Sequence, residues 1–159
     1  MRSILFVCTA NLCRSPTAEG VLRSLLAKEG LEEKLEIESA GTHDYHAGKA
    51  PFPAAVKIAT ERGYDITGCV ARRIVPGDFD YFDMILAMDR GNLTNLRTIA
   101  PTRSKQKIEL LLEYGDKYHG QEIPDPYSGK EKDFQIAFDM IEDGCRGLVE
   151  LLKRTTLRP

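Results

Sequence analysis

The sequence predicts an α/β fold in which a parallel sheet carries helices on both faces. Strand and helix signals alternate along the chain, which is the order that a parallel sheet requires. The first strand, Ile4–Val7, is continuously apolar, as expected for a parallel strand covered on both faces. A long amphipathic helix follows at residues 133–152. No linker or repeat divides the chain, so residues 1–159 are expected to form one domain.

The N-terminal half contains two predicted strands and two predicted helices. In order they are the strand Ile4–Val7, a helix from Pro16 to Gly30, the strand Leu35–Ala40, a loop Thr42–Pro53 and the helix Ala54–Ala59. Ser15 is the expected N-cap of the first helix, because its side chain can accept a hydrogen bond from the first turn. Pro16 then takes the first helical position, which tolerates a missing N–H. Gly30 is expected to end this helix.

The C-terminal half continues the alternation. It comprises the strand Tyr81–Met88, a helix that begins after Asp89 and runs through Leu96, the segment Lys107–Leu112, and the long helix from Asp133. The segment Lys107–Leu112 fits either a strand or the start of a helix, because a short apolar run does not distinguish the two. In open parallel sheets, ligands bind beyond the carboxyl ends of the strands. The residues that follow the first strand therefore lie where a ligand site is expected.

Composition and charge argue against several classes of protein. With a formal net charge of -2, the chain is not expected to bind nucleic acid or other polyanions in general. No apolar run approaches the length of a membrane span, and the N-terminus lacks a signal-peptide pattern. We therefore expect a cytoplasmic protein without a membrane partner.

The four cysteines are expected to be reduced thiols in that compartment. They are Cys8, Cys13, Cys69 and Cys145. Neither a Cys-x-x-Cys pair nor a zinc-ligand spacing occurs, and the histidines are scattered. We therefore predict no bound metal.

The most informative motif lies between the first strand and the first helix. It reads Cys8-Thr9-Ala10-Asn11-Leu12-Cys13-Arg14-Ser15-Pro16. A short loop leading into a helix N-terminus turns backbone N–H groups toward its centre, and the helix dipole adds positive charge. Arg14 supplies a planar guanidinium that matches two phosphate oxygens. The motif thus predicts a loop that binds a phosphate-sized oxyanion.

Cys8 is the candidate nucleophile of this loop. The positive field of the loop favours the thiolate, which is the reactive form of cysteine. Ser15 can donate a hydrogen bond to the sulfur, and Asn11 suits a left-handed backbone conformation. Two alternatives stay open. A cysteine after a buried strand is commonly a small core residue, and a bare Cys-x5-Arg match also arises by chance.

Asp125 is the candidate general acid. Attack by sulfur leaves a charged oxygen on the departing group, so a proton donor is needed. Asp125 lies in the segment Ile123-Pro124-Asp125-Pro126-Tyr127-Ser128-Gly129, which two prolines stiffen. The alternative is that Asp-Pro-Tyr-Ser-Gly is only a turn.

Together, these two segments resemble the signature of the low-molecular-weight protein tyrosine phosphatases. That family carries Val-Cys-x-Gly-Asn-x-Cys-Arg-Ser-Pro near the N-terminus and a distal Asp-Pro-Tyr. The matching residues here are Val7–Pro16 and Asp125–Tyr127, and shorter matches between them extend the similarity over nearly the whole chain. The resemblance implies a three-layer fold, with a four-stranded parallel sheet, helices on both faces and a flavodoxin-related topology. It implies no metal or cofactor.

The resemblance also implies roles for individual residues. Cys8 is expected to form a phosphocysteine intermediate, and Asp125 to act first as an acid and then as a base toward water. The expected phosphate-binding loop is Thr9, Ala10, Asn11, Leu12, Cys13, Arg14 and Ser15. Ala10 stands where the family usually has glycine. Ser39 is expected to help Asn11 and Ser15 support the loop.

Further expectations from the resemblance concern the cleft and its regulation. Tyr45 and Tyr127 are expected to form walls of the substrate cleft. Cys13 is expected to be a redox partner that forms a reversible disulfide with Cys8. The expected partners are proteins that contain phosphotyrosine, and the expected product is inorganic phosphate.

Two related activities are alternatives. Protein-arginine phosphatases of the same family favour a threonine where this chain has Leu12, so an aliphatic residue here favours phosphotyrosine. Arsenate reductases share the loop but need a closely spaced downstream cysteine pair. Cys69 and Cys145 lie far apart in the sequence, which disfavours that activity.

Overall fold

The computed structural model describes residues 1–156, which form a four-stranded parallel sheet with helices on both faces. The strands are β1 (Ser3–Cys8), β2 (Glu36–Gly41), β3 (Met84–Ala87) and β4 (Ile108–Leu110). The α-helices are α1 (Arg14–Lys28), α2 (Pro53–Glu61), α3 (Asp78–Tyr81), α4 (Arg90–Ile99) and α5 (Glu131–Thr156). Short 3₁₀ helices cover Glu32–Lys34, Thr102–Lys107 and Leu111–Tyr114. Residues 157–159 of the predicted domain lie outside the described part.

The sheet divides the core into two layers. Along β1, Ile4 and Phe6 face one layer while Leu5 and Val7 face the other, as the two-residue period of a strand requires. The first layer holds the apolar faces of α1, α2 and α5, and the second holds those of α3 and α4. All six residues of β1 are buried, which confirms the prediction of a strand covered on both sides. The expected three-layer architecture is therefore confirmed.

The strand order is β2-β1-β3-β4, and each pair is parallel. The chain thus moves from β1 to one side for β2 and returns to the other side for β3. Such a reversal opens a crevice between the carboxyl ends of the two strands involved. Val7 pairs with Ala87, so the residues after β1 and those after β3 emerge next to one another. This is the part of the fold that positions the site.

Most predicted elements are observed within a few residues of their expected bounds. The helix after Asp89 is confirmed, and the Asp89 side chain accepts a hydrogen bond from the N–H of Asn92 at 2.7 Å. The ambiguous segment Lys107–Leu112 contains a short strand, β4, at Ile108–Leu110, and 3₁₀ helices precede and follow it. Gly30, just beyond the end of α1, has a φ of 69°, the left-handed conformation expected of a glycine at that position.

Two predictions need correction. Ser15 is not the N-cap, because α1 begins at Arg14 and Cys13 precedes it without a side-chain cap bond. The Ser15 hydroxyl is instead used inside the loop. The third strand does not begin at Tyr81, which lies in α3; the strand starts at Met84. A short apolar run looks the same in the sequence whether it ends a helix or begins a strand, so the pattern did not distinguish the two.

The part of the chain that the structure describes contains no helix with the length and apolar character needed to cross a membrane.

Candidate active site

The loop Cys8–Ser15 turns its carbonyls outward. Three of them accept hydrogen bonds from backbone N–H groups outside the loop: Cys8 from Thr42 (2.9 Å), Thr9 from His43 (2.9 Å) and Leu12 from Phe52 (3.0 Å). In a trans peptide, the C=O of one residue and the N–H of the next point in opposite directions. The N–H groups of Thr9, Ala10 and Cys13 therefore face away from these partners, and none of the three has an acceptor within residues 1–156. They are available to bind an oxyanion.

A hydrogen-bonded chain inside the loop ends on the Cys8 sulfur. Asn11 has a φ of 55°, and its Oδ1 accepts the backbone N–H of Arg72 at 3.0 Å. This bond fixes the orientation of the amide, so its Nδ2 donates to the Ser15 Oγ at 2.7 Å. Because Ser15 accepts from Asn11, its own O–H is free to donate to the Cys8 Sγ, which is 3.0 Å away. The expected roles of Asn11 and Ser15 have this geometric basis.

Arg14 is buried, with 2% of its side chain exposed, and is held by two acceptors. Its Nη1 donates to the Asp89 Oδ2 at 2.7 Å and to the carbonyl of Ile123 at 2.8 Å. The N–H groups on Nε and Nη2 remain for a ligand. Burial by itself lowers the pKa of Arg14, but the Cys8 sulfur and the carboxylates of Asp89 and Asp125 outweigh it and raise the pKa above its usual value. The guanidinium is therefore a permanent positive charge at the loop.

The loop forms the floor of a cleft of about 200 Å³. Cys8 is only 3% exposed, yet it lines this cleft. Its other lining residues are Thr9, Ala10, Leu12, Cys13, Arg14, Tyr45, His46, Asp125 and Tyr127. The exposed rings of Tyr45 and Tyr127 thus line the cleft above the loop.

Asp125 faces Arg14 from the opposite side of the cleft. Its Oδ1 accepts the backbone N–H of Tyr127 at 3.1 Å, and its Oδ2 lies 3.8 Å from the Arg14 Nη2. About half of the side chain is exposed, so the carboxyl can reach a ligand in the cleft. The turn suggested by Asp-Pro-Tyr-Ser-Gly is present, and it also aims a carboxyl oxygen at the loop. The two interpretations of this segment are therefore compatible.

The other cysteines differ from Cys8 in their surroundings. Burial, together with the nearby Cys8 sulfur and Asp125, raises the pKa of Cys13 to about 12, although Arg14 opposes the shift. Burial also raises the pKa of Cys69 to about 12 and that of Cys145 still further. The Sγ atoms of Cys69 and Cys145 lie near the carbonyls of Pro16 and Ala18, at 3.8 and 3.6 Å.

Ser39 lies in β2, and within residues 1–156 its hydroxyl forms no hydrogen bond with the loop. Its hydroxyl donates to the Glu19 Oε1 at 2.7 Å, so any support that it gives the loop passes through α1. Among residues 1–156, no group of three or more His, Cys, Asp or Glu side chains is arranged to hold a metal ion.

Three residues at the site were missed by sequence reasoning. Asp89 was predicted only as a helix cap, yet it also binds Arg14. Asn92, one turn along α4, donates its amide to the Thr9 Oγ1 at 3.1 Å. His46 lines the cleft beside Tyr127, with ring centroids 5.8 Å apart. The position of Asp89 directly after a parallel strand was the available signal, because ligand sites form at that edge.

Comparison with known proteins agrees with this geometry. The family model for low molecular weight phosphotyrosine protein phosphatases matches residues 3–157. A low molecular weight protein-tyrosine-phosphatase of Bacillus subtilis is 37% identical over 154 residues, which cover 97% of each chain. The human low molecular weight phosphotyrosine protein phosphatase is 37% identical over 151 residues, which cover 94% of each.

Solved structures show the same likeness. A crystal structure of a protein tyrosine phosphatase from Entamoeba histolytica, with Hepes in its active site, has a TM-score of 0.93 and 38% identity, and the match covers 99% of this chain and 100% of that one. The fold and the site define a phosphatase with a cysteine-arginine loop. The chain belongs to the low molecular weight phosphotyrosine protein phosphatase family. It is a hydrolase that acts on phosphoproteins.

Proposed function

We propose that this enzyme hydrolyses phosphotyrosine through a phosphocysteine intermediate on Cys8. One observation carries the proposal: the Cys8 sulfur lies at the floor of a cleft that Arg14 and Asp125 also line, beside N–H groups that have no acceptor in the described part of the chain. A nucleophile, a phosphate-binding charge and a proton donor thus share one small volume.

The first step transfers the phosphoryl group to sulfur. The loop N–H groups and Arg14 bind the phosphate oxygens and stabilise the charge that develops on them. The Cys8 thiolate forms a bond to phosphorus while the bond from phosphorus to the tyrosine oxygen breaks. Asp125 gives its proton to that oxygen, so a neutral tyrosine leaves.

The second step releases phosphate. A water molecule attacks the phosphocysteine, and the Asp125 carboxylate accepts its proton. The bond between phosphorus and sulfur breaks, and the thiolate returns. Ser15 supports this step because its hydroxyl can donate to the sulfur as it regains its charge. The product is inorganic phosphate.

The cleft walls favour an aryl phosphate. Tyr45 and Tyr127 offer two exposed aromatic rings on which a substrate ring can pack. Leu12 is buried in the loop, lines the cleft and offers no hydroxyl with which to orient water toward a phosphoramidate. These features support phosphotyrosine over phosphoarginine.

An arsenate reductase needs further cysteines at the cleft to pass electrons. Cys69 and Cys145 lie against α1, and neither is among the residues that line the cleft. Their placement supports the phosphatase activity.

We also propose that Cys13 protects Cys8 under oxidation. When an oxidant converts the Cys8 thiolate to a sulfenic acid, the Cys13 thiol displaces water and forms a disulfide. Both residues belong to the same loop and line the same cleft, which supports the pairing. The reduced cysteines also fit the cytoplasm, the compartment that we assign to the enzyme.

The test compares metal-free hydrolysis of phosphotyrosine, phosphoserine and phosphoarginine peptides in the presence of EDTA. We expect a clear preference for phosphotyrosine. The variant Cys8→Ser should bind phosphate without turnover, and Asp125→Asn should lose about 10²–10⁴-fold in kcat on phosphotyrosine. The loss should be smaller on p-nitrophenyl phosphate, whose leaving group needs less protonation. A preference for phosphoarginine, or unchanged turnover of Asp125→Asn on phosphotyrosine, would contradict the proposal.

A further inference from the structure

A second cavity adjoins the active-site cleft. Its volume is about 280 Å³, larger than that of the cleft itself, and it lies between α2 and the start of α5. We call it the α2 groove. Its apolar lining comes from Phe52, Ala54, Ile58 and Phe134, with ring centroids of the two phenylalanines 5.9 Å apart.

The side chain of Tyr127 borders both the α2 groove and the cleft. Its ring lies 5.8 Å from the His46 ring on the cleft side and 5.2 Å from the Phe52 ring on the groove side, measured between centroids. A substrate bound with its phosphotyrosine in the cleft can therefore extend past Tyr127 to the groove.

The spacing suits an extended peptide. Residues along an extended chain advance by about 3.3 Å each, so side chains two residues apart point to the same side about 6–7 Å from one another. Two or three residues span about 7–10 Å, enough to extend past Tyr127, whose ring lies 5.8 Å from His46 on one side and 5.2 Å from Phe52 on the other. A side chain near the phosphotyrosine can thus enter the groove while the phosphate remains on the loop.

The charges around the groove lie at its rim and have both signs. Lys57 and Glu131 are exposed and lie 3.8 Å apart, and Glu61 is exposed on the next turn of α2. Because these side chains, one positive and two negative, are exposed and solvated, they give only a weak preference for a charged occupant. The apolar lining favours an apolar occupant, because binding removes the apolar surfaces of both the lining and the bound side chain from water.

We propose that the α2 groove binds an apolar side chain, aromatic or branched aliphatic, two or three residues from the phosphotyrosine of the substrate. This inference rests on the proposed phosphotyrosine hydrolysis and deepens it. It assigns to the enzyme a preference among phosphotyrosine sites that the catalytic loop alone does not provide.

The first experiment uses the wild-type enzyme and a series of phosphotyrosine peptides. The reference peptide has alanine at the three positions on each side of the phosphotyrosine, and each other peptide has leucine at one of them. We expect one position, two or three residues away, at which leucine raises kcat/KM by about tenfold, the low end for an apolar pocket because the groove is open to solvent. If no such position exceeds about twofold, the inference is wrong.

The second experiment assigns that preference to the groove. Ala54→Phe fills the lining, and Glu61→Trp covers the rim from an exposed position where folding is not at risk. Both should reduce the leucine preference below about twofold and leave p-nitrophenyl phosphate turnover unchanged. Thr60→Phe is the matched control, because Thr60 is exposed on α2 but does not line the groove. It should keep the full preference.

The outcomes separate the two proposals. Hydrolysis of the reference peptide without a leucine preference refutes the groove assignment and leaves the proposed function intact. A preference that survives in Glu61→Trp also refutes the assignment. Failure to hydrolyse any phosphotyrosine peptide refutes both.

Discussion

At the scale of single residues, the direction of one hydrogen bond determines how the nucleophile is supported. The N–H of Arg72 orients the Asn11 amide, the amide donates to Ser15, and the Ser15 hydroxyl is left to donate to Cys8. The next acceptor for that hydroxyl, the carbonyl of Ala40, is farther away at 3.4 Å. The Ser15 hydroxyl therefore directs its proton mainly toward the Cys8 sulfur, where it stabilises a thiolate.

Ser15→Ala should slow turnover by about 10- to 100-fold, because a hydrogen bond to a charged group contributes about 1.5–3 kcal/mol. The loss should appear in kcat, since Ser15 acts on the sulfur and not on the bound phosphate. Ser104→Ala is the control: Ser104 is equally buried, and its hydroxyl has no partner among the described residues. Equal rates for the two variants in a steady-state assay would contradict this role.

Thiol reactivity should be confined to Cys8 near neutral pH. A raised pKa keeps a thiol protonated as the pH increases, so Cys13 and Cys69, each with a pKa of about 12, should not react with an added alkylating agent up to about pH 9. Cys145 is fully buried and its pKa is raised further. Iodoacetate followed by peptide mapping should find one modified cysteine between pH 6 and about pH 9, and bound phosphate should protect it. Rapid labelling of Cys13 between pH 6 and about pH 9 would contradict the raised pKa assigned to this thiol.

At the scale of elements, the first turn of α4 holds both ends of the phosphate-binding loop. Asp89 caps the helix through one carboxyl oxygen and binds Arg14 through the other. Asn92 reaches Thr9 at the opposite end of the loop. Asp89 and Asn92, at the start of α4, thus couple the formation of this helix to the shape of the site.

Two substitutions of Asp89 separate its functions. Asp89→Ala removes the cap and the partner of a buried guanidinium, so the free energy of unfolding should fall by at least the 0.5–2 kcal/mol of a lost cap. Asp89→Asn keeps a good cap and removes only the charge. Urea denaturation should show a smaller loss in the free energy of unfolding for Asp89→Asn than for Asp89→Ala. The KM of both variants should change, because Arg14 loses its charged partner in each. Identical stability of the two variants would argue against the capping role.

At the scale of the whole molecule, α5 closes the layer that supports the loop from below. It packs against α1 and against the 3₁₀ helix after β4, and its backbone approaches that helix closely at Gly147. A Cβ placed on Gly147 would lie 1.6 Å from the carbonyl oxygen of Tyr114. Because the nearest atoms belong to the backbone, no flexible side chain can move aside to make room. The whole of α5 would therefore have to shift.

Gly147→Ala should lower the free energy of unfolding by about 3 kcal/mol, the upper end for overpacking. Gly68→Ala is the matched control, since a Cβ there meets nothing within 4 Å. Its stability should stay within about 0.5 kcal/mol of wild type. Thermal or urea unfolding measures both, and a Gly147→Ala protein as stable as the control would exclude such close packing of α5.

The sequence by itself determined the α/β class, most of the elements and the position of the Cys-x5-Arg loop that joins β1 to α1. These features follow from local patterns. An apolar strand, a helix start and a Cys-x5-Arg spacing can all be recognised within the first sixteen residues. The same local patterns misplaced the start of α1 and of β3. The Asn11 amide that engages the Ser15 hydroxyl is oriented by the distant Arg72, and Phe82 packs in a core layer built from remote segments.

Only the tertiary structure decided which distant residues meet at the loop. Asp89 is 75 positions from Arg14, and Ile123 is 109 positions from it. Their meeting depends on the strand order that sets β1 beside β3, and many chain paths share the same local signals. The position of Tyr127 at the border of two cavities is of the same kind. Contacts between remote residues belong to the packed molecule, because they exist only after the strands have found their neighbours.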